Sequence, residues 1–229
     1  MTTIRNWARN QACVPHEVAR PASVEQLSAL VASAARDGRR VKAIGGGHSF
    51  TGAAMTNGVL VSLDDMAAVE HVDRATGRVT VQAGIRLRRL NGALAAAGLA
   101  MPNLGDIDVQ SIAGAISTAT HGTGAELGNI ATTVVGMDIV TGTGEVVSCD
   151  AEHDPELLRV ARVGLGALGI VARVTLQCVP AFRLHAVETI EVLDDVLDDF
   201  DDVVRSAEHV ELYWMPGARA RDEDRKSVV

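Results

Sequence analysis

Val41-Lys42-Ala43-Ile44-Gly45-Gly46-Gly47-His48-Ser49-Phe50 is the stretch on which the fold turns. The four apolar-rich residues read as a short strand, and three consecutive glycines read as a loop leaving it. Glycines at Gly45, Gly46 and Gly47 allow backbone N–H groups to line one concavity and a bulky anion to approach the main chain. His48 then sets a reactive ring nitrogen beside that anion. The combination points to a phosphate-bearing cofactor held by more than hydrogen bonds.

Outward from this loop the chain alternates helices and strands. Ser23-Val24-Glu25-Gln26 has the form of a capping box, with Leu27, Leu30, Val31 and Ala34 at helical spacing and Gly38 as the stop. Gly58 to Leu63 predicts a strand. Val69 to Asp73 and Val79 to Ala83 flank Ala75-Thr76-Gly77 and predict a hairpin, as do Thr133 to Val140 and Glu145 to Cys149 around Gly142-Thr143-Gly144. Leu87, Leu90, Leu94 and Ala97 mark a second helix ending at Gly98. Glu156 to Val163 reads as helix and Ile170 to Val179 as a β-branched strand ended by Pro180. One strand–helix–strand unit followed mostly by hairpins predicts an α+β fold, not a doubly wound sheet.

The bulk properties set limits. At 229 residues the chain is long enough for one large or two small domains. Aromatics are only 3% of residues, so the core must be built from Ala, Val, Leu and Ile. A formal net charge of −8 argues against a nucleic-acid surface, which needs clustered Lys and Arg. No run of about 18 apolar residues is present to span a membrane. The start, Met1 to Trp7, lacks the apolar stretch of a secretory signal. Cys13, Cys149 and Cys178 are odd in number and widely spaced, which fits a reducing cytoplasm and no metal or disulfide framework.

Two glycine-rich stretches need separating. Gly164-Leu165-Gly166-Ala167-Leu168-Gly169 matches the dinucleotide pattern G-x-G-x-x-G, but a helix precedes it and a strand follows. A pyrophosphate fingerprint requires the reverse order, so the stretch reads as a helix-to-strand turn. Pro102 to Gly124 is dense in small and hydroxylated residues. Two readings stay open for it: contacts to phosphate or ring edges, with Ser111 capping a short helix, or close packing of a helix on a sheet.

Beyond Pro180 the composition changes. Leu193, Val196, Leu197, Phe200, Val203 and Val204 alternate with Asp194, Asp195, Asp198, Asp199, Asp201 and Asp202, which predicts one amphipathic helix with a solvated acidic face. A calcium loop would need a glycine and a spacing not found there. Glu208 to Trp214 reads as a strand, so a second domain starts near residue 183. Its three elements and the polar stretch Arg219 to Lys226 lead us to expect an incomplete domain, the alternative being a short form with a loose tail.

GGGHSF at 45–50, NLGD at 103–106 with QSIAG at 110–114 and TATHGTG at 118–124, and ARVGLGALGIVARVTLQCVP at 161–180 occur in this order. Together they resemble the PCMH-type FAD-binding domain of the vanillyl-alcohol-oxidase-like flavoproteins, within them the sugar-lactone and alditol branch of gulonolactone, galactonolactone and arabinonolactone oxidases or dehydrogenases. The resemblance spans roughly Trp7 to Pro216. It implies FAD between two subdomains, residues 1–63 and 64–182 of an FAD-binding domain 1–182, followed at 183–229 by the start of a substrate (cap) domain.

The resemblance also implies roles. Ile44, Gly45, Gly46, Gly47, His48 and Ser49 would wrap the pyrophosphate, and His48 stands where many relatives join the 8α carbon of the flavin covalently. A second, cysteinyl link is not expected, because no cysteine falls between Cys13 and Cys149. Asp106, Ser111, Gly114, Thr118, Ala119, Thr120 and His121 match cofactor-contacting positions, and Ile170 and Val171 match a strand whose backbone meets the flavin. Asp106 replaces a serine of the alditol branch. Ala119 replaces the usual glycine, one added methyl that space should tolerate. His121 reads as a catalytic base or, preferably, as a positioning residue. Gly105 would border the flavin edge and leave room for oxygen.

The implied reaction is oxidation of a sugar-derived alcohol or an aldono-1,4-lactone by hydride transfer to flavin N5, with oxygen or another acceptor reoxidising the flavin. Relatives end in a His-Trp-Gly-Lys-type motif that these residues do not include, so the catalytic groups are expected elsewhere. Three classes of function follow: a flavin oxidoreductase of the aldonolactone type, a bare FAD-binding module of little activity, or a related fold serving cell-wall precursor reduction. TATHGTG and the 161–180 motif favour the first over the third.

Overall fold

In the computed structural model, residues 2–214 and the backbone of 225–228 are described. The fold is α+β, as expected. Strands Glu17–Ala19, Val59–Ser62 and Val41–Ile44 form a small parallel sheet with Val59–Ser62 in the middle. Its crossover is the helix Val24–Arg36, which buries Val24, Leu27, Val31 and Ala34 at the spacing of one helical face. Ser23 caps this helix by accepting from the Gln26 N–H. Gln26 reaches back one residue further than a capping box requires, its Oε1 accepting from the Ala22 N–H at 2.9 Å. Gly38 follows with φ of 63°, a left-handed exit that suits glycine.

A five-stranded antiparallel sheet makes up the larger part. Its order is Val146–Asp150, Val134–Val140, Ile170–Gln177, Arg78–Gln82 and Val69–Asp73. Both expected hairpins lie in it. The strand Ile170–Gln177 alternates buried and half-buried residues along its length. Its two ends serve different cores. Val174 and Leu176 pack with Leu87, Leu90 and Leu94 of the helix Leu87–Ala96 and with Ile112 and Ile116. Ile170 and Ala172 pack instead with Leu27, Val31 and Val61 of the small sheet and its helix. The start of this strand is therefore the seam between the two sheets.

Cys149 and Cys178 are buried among these apolar residues, while Cys13 is half-buried. Burial disfavours the thiolate, so both buried thiols are pushed up, Cys178 to about 11.

Three features depart from expectation. Ile4–Arg5 pairs with Ala12–Cys13, a small hairpin without a sequence pattern of its own. The acidic helix is two short helices, Leu193–Asp198 and Phe200–Arg205, broken at Asp199. Aspartate is a weak helix former, and Asp194, Asp195, Asp198, Asp201 and Asp202 repel one another at spacings of three and four. The break leaves Val196 as the one buried apolar residue of that stripe, with Leu197 and Phe200 exposed. The strand expected over Glu208 to Trp214 is limited to Leu212–Tyr213, which pairs with Arg225–Val228, itself paired to Thr189–Val192. Of the polar stretch from Arg219, residues 219–224 lie outside the described residues.

Candidate functional site

A cleft opens at the seam. It is lined by Val41 to Ser49, by Ser111, Ala113, Gly114, Ser117 and Thr118 in and around the short helix Ile112–Ser117, and by Gly169, Ile170 and Val171. Of the residues singled out in the sequence, Ile44, Gly45, Gly46, Gly47, His48, Ser49, Ser111, Gly114, Thr118, Ile170 and Val171 are brought together here.

The three glycines have distinct reasons to be glycine. A Cβ on Gly45 would lie 2.3 Å from Ser111 Oγ, and one on Gly46 would lie 3.0 Å from both Arg86 Nη1 and the Val109 carbonyl oxygen. These two let the loop press onto the protein beneath it. Gly47 has room but needs φ of 69°. Close approach and a left-handed turn together hold the loop at the cleft mouth.

The facing helix is built from small residues. Ser111 is its N-cap, accepting from the Gly114 N–H at 3.2 Å. Ala113, Gly114, Ser117 and Thr118 fall on the cleft side at helical spacing, and Ile112, Ala115 and Ile116 are buried on the other. One face of the helix thus lines the cleft while the other packs in the core. Thr118 Oγ1 donates to the Gly114 carbonyl at 2.9 Å.

Charge in the cleft is mixed. Lys42 and Asp64 both line it. Asp64 pairs with Arg86, whose Nη1 also donates to the Val109 carbonyl at 3.2 Å. The Arg86 guanidinium therefore offsets a carboxylate that would otherwise repel an anion beside the glycine loop.

Gly105, Asp106, Ala119, Thr120 and His121 are not among the cleft-lining residues. They form two loops that brace each other next to it. A Cβ on Gly105 would lie 3.0 Å from the His121 carbonyl oxygen and 3.3 Å from Thr120 Cγ2. The buried Asn103 donates from Nδ2 to the Thr123 carbonyl at 3.1 Å, tying the loops together. His121 is exposed, with Nδ1 2.9 Å from the neighbouring Gly122 carbonyl oxygen. Ala119 takes φ of 53°, so its methyl bears on the backbone, not on space alone. Judging Ala119 by added volume missed this strain.

Gln110 links the loops to the cleft, and sequence reasoning did not single it out. Its Nε2 donates to Thr120 Oγ1 at 3.1 Å. Its Oε1 is buried without a hydrogen-bond partner, although the residue lines the cleft. An orphaned acceptor at this place suits an N–H or O–H donor from a bound group. The ring imide of a flavin is such a donor, and a glycine loop backed by cations suits a pyrophosphate, so the residues present fit FAD. Leu165 and Gly166 also line the cleft. They belong to the expected helix-to-strand turn between Pro155–Ala161 and Ile170–Gln177, whose place at the cleft follows only from the long-range seam.

The α+β fold and the cleft fit a flavoprotein, and the comparisons show one. Residues 15–150 match the family described as "FAD binding domain", and this chain belongs to that family, with FAD as its cofactor. Residues 174–225 match the family described as D-arabinono-1,4-lactone oxidase. An L-gulono-1,4-lactone dehydrogenase of Mycobacterium tuberculosis is 44% identical over 93% of this chain and 49% of its own length. An L-gulonolactone oxidase of Bos taurus is 38% identical over 93% of the chain and 48% of its own. A putative D-arabinono-1,4-lactone oxidase of Neurospora crassa is 41% identical over 94% of the chain and 39% of its own. The chain thus spans about half, or less, of the length of these relatives.

Proposed function

We propose that this chain is the FAD-holding part of an oxidoreductase that oxidises a sugar-derived alcohol carbon or an aldono-1,4-lactone, of the L-gulono- or D-arabinono-1,4-lactone type. The observation that carries the reading is the cleft at the seam, where a glycine loop ending in His48 faces a small-residue helix and the orphaned Gln110 Oε1. The names of the relatives point to the same substrate class.

In this reading residues 1–182 hold the cofactor, with a division near residue 63, and 183–229 begin the substrate domain. Gly45, Gly46 and Gly47 seat the pyrophosphate, with Lys42 offsetting its charge and Arg86 offsetting that of Asp64. Ser111, Gly114 and Thr118 border the opposite side. Ile170 and Val171 support the ring from below, and Gln110 accepts from its imide. Gly105, Asp106, Ala119, Thr120 and His121 form the adjoining rim, where His121 positions and does not abstract protons. His48 is the residue that links the flavin. When bound, FAD supplies the hydride acceptor, and the chain's own residues hold it, shield it and orient it. Oxygen or another acceptor takes the electrons, and the protein works in the cytoplasm.

The test is acid precipitation of the purified chain. Flavin absorbance in the pellet, lost in His48→Ala, is expected. Flavin released entirely into the supernatant would remove the covalent part of the reading, and folded protein with no flavin at all would remove the site.

A further inference from the structure

The turn Asn6 to Gln11 lies ahead of the residues matched to the FAD-binding family, which begin at 15. It nonetheless grips the glycine loop from outside. Asn6 is only 3% exposed. Its Nδ2 donates to the Ser49 carbonyl at 2.9 Å, 43 positions along the chain, and its Oδ1 accepts from the Gln11 N–H at 3.0 Å. The Trp7 N–H donates to the Gly47 carbonyl at 2.8 Å. Asn10 Nδ2 donates to the Phe50 carbonyl at 3.0 Å. One short turn thus fixes the backbone on both sides of His48.

The ring of His48 is held as well. Trp7 stacks on it with centroids 5.3 Å apart and planes 21° apart, and Phe50 meets Trp7 edge-on at 6.5 Å and 89°. Trp7 is 66% exposed, so core packing does not account for an indole at this position. With one imidazole face covered by Trp7, the rest of the ring is left to the cleft that His48 lines.

We propose that the Asn6–Gln11 turn is the positioning device for His48: Asn6 sets the backbone and Trp7 sets the plane of the imidazole, so that its nitrogen meets a ligand in the cleft in one orientation. The functional consequence, though not the geometry, rests on the reading of His48 as the flavin-linking residue. Near-attack placement of a reacting group is sensitive to small displacements, with about 10²-fold lost for a misplacement of order 1 Å.

The test is an NMR study of the 229-residue chain carrying labelled histidine, with FAD attachment followed in parallel. His48 ring protons should be displaced by the Trp7 ring current, and the displacement should vanish in Trp7→Leu and partly persist in Trp7→Phe. Acid-stable flavin should accumulate about 10²-fold more slowly in Trp7→Leu. FAD affinity measured in a His48→Ala background should not change when Trp7→Leu is added. His48 protons indifferent to Trp7→Leu would overturn the proposal whatever the flavin does. Equal attachment rates in the parent and Trp7→Leu would overturn its functional half. A parent that binds FAD reversibly while His48 still responds to Trp7 would support the positioning geometry and refute only the flavin link.

Discussion

Two glycine turns border the same cleft and are held in different ways. At Gly45 the space where a Cβ would go is occupied by Ser111 Oγ, the tip of a side chain. At Gly169 it is occupied by the Val140 carbonyl oxygen, 2.3 Å from the ideal Cβ position, and the residue also takes φ of 140°. The first requirement is set by a neighbour that can be trimmed. The second is set by the main chain of a central strand, which cannot. Proximity to one site therefore does not make two glycine loops equivalent, and substitutions should rank them.

Gly169→Ala should have the largest effect, about 4 kcal/mol or more, because clash and strain act together at the seam. Denaturant unfolding of the purified chain measures it, and a loss near 1 kcal/mol would break the contrast. Gly45→Ala should cost about 2 kcal/mol by displacing the Ser111 cap. The double variant Gly45→Ala, Ser111→Ala should cost little more than Ser111→Ala alone, a coupling that a double-mutant cycle reads directly. Gly166→Ala should cost only about 1 kcal/mol, since its φ of 74° is left-handed but the nearest atom to a Cβ is 3.8 Å away. Ala119→Gly runs the other way. Relief of the 53° φ should raise stability by about 0.5 to 1 kcal/mol, seen as an increase in Tm.

Local chemistry made much of this legible beforehand. The strand Val41–Ile44, the Ser23 cap, both hairpins and the helix-to-strand turn at 164–169 follow from periodicity, capping residues and turn glycines, which act over a few positions. The site was legible where a segment carries its own geometry, as in Gly45 to Ser49 and Ser111 to Thr118. It was not legible where a residue matters through distant partners. Asn6 looks like any loop asparagine until Ser49 is beside it. Leu165 and Gly166 read as a turn, and only the packing of Ile170 and Ala172 against Leu27 and Val61 carries that turn to the cleft. The break at Asp199 was missed for another reason: the apolar spacing is helical, but mutual repulsion among the aspartates opposes it.

The buried thiols bear on how the protein withstands oxidation. Peroxide attacks thiolates, not thiols, and works up the oxidation ladder from sulfenic acid to irreversible acids. Cys178, pushed up to about 11 by burial, and Cys149, raised by burial and by Asp154, Asp138 and Asp150, are both held toward the thiol form. An oxidant in the surroundings would then find the two core cysteines inert. By exposure alone the accessible thiol is the half-buried Cys13, in the small N-terminal hairpin beside the turn that grips the glycine loop.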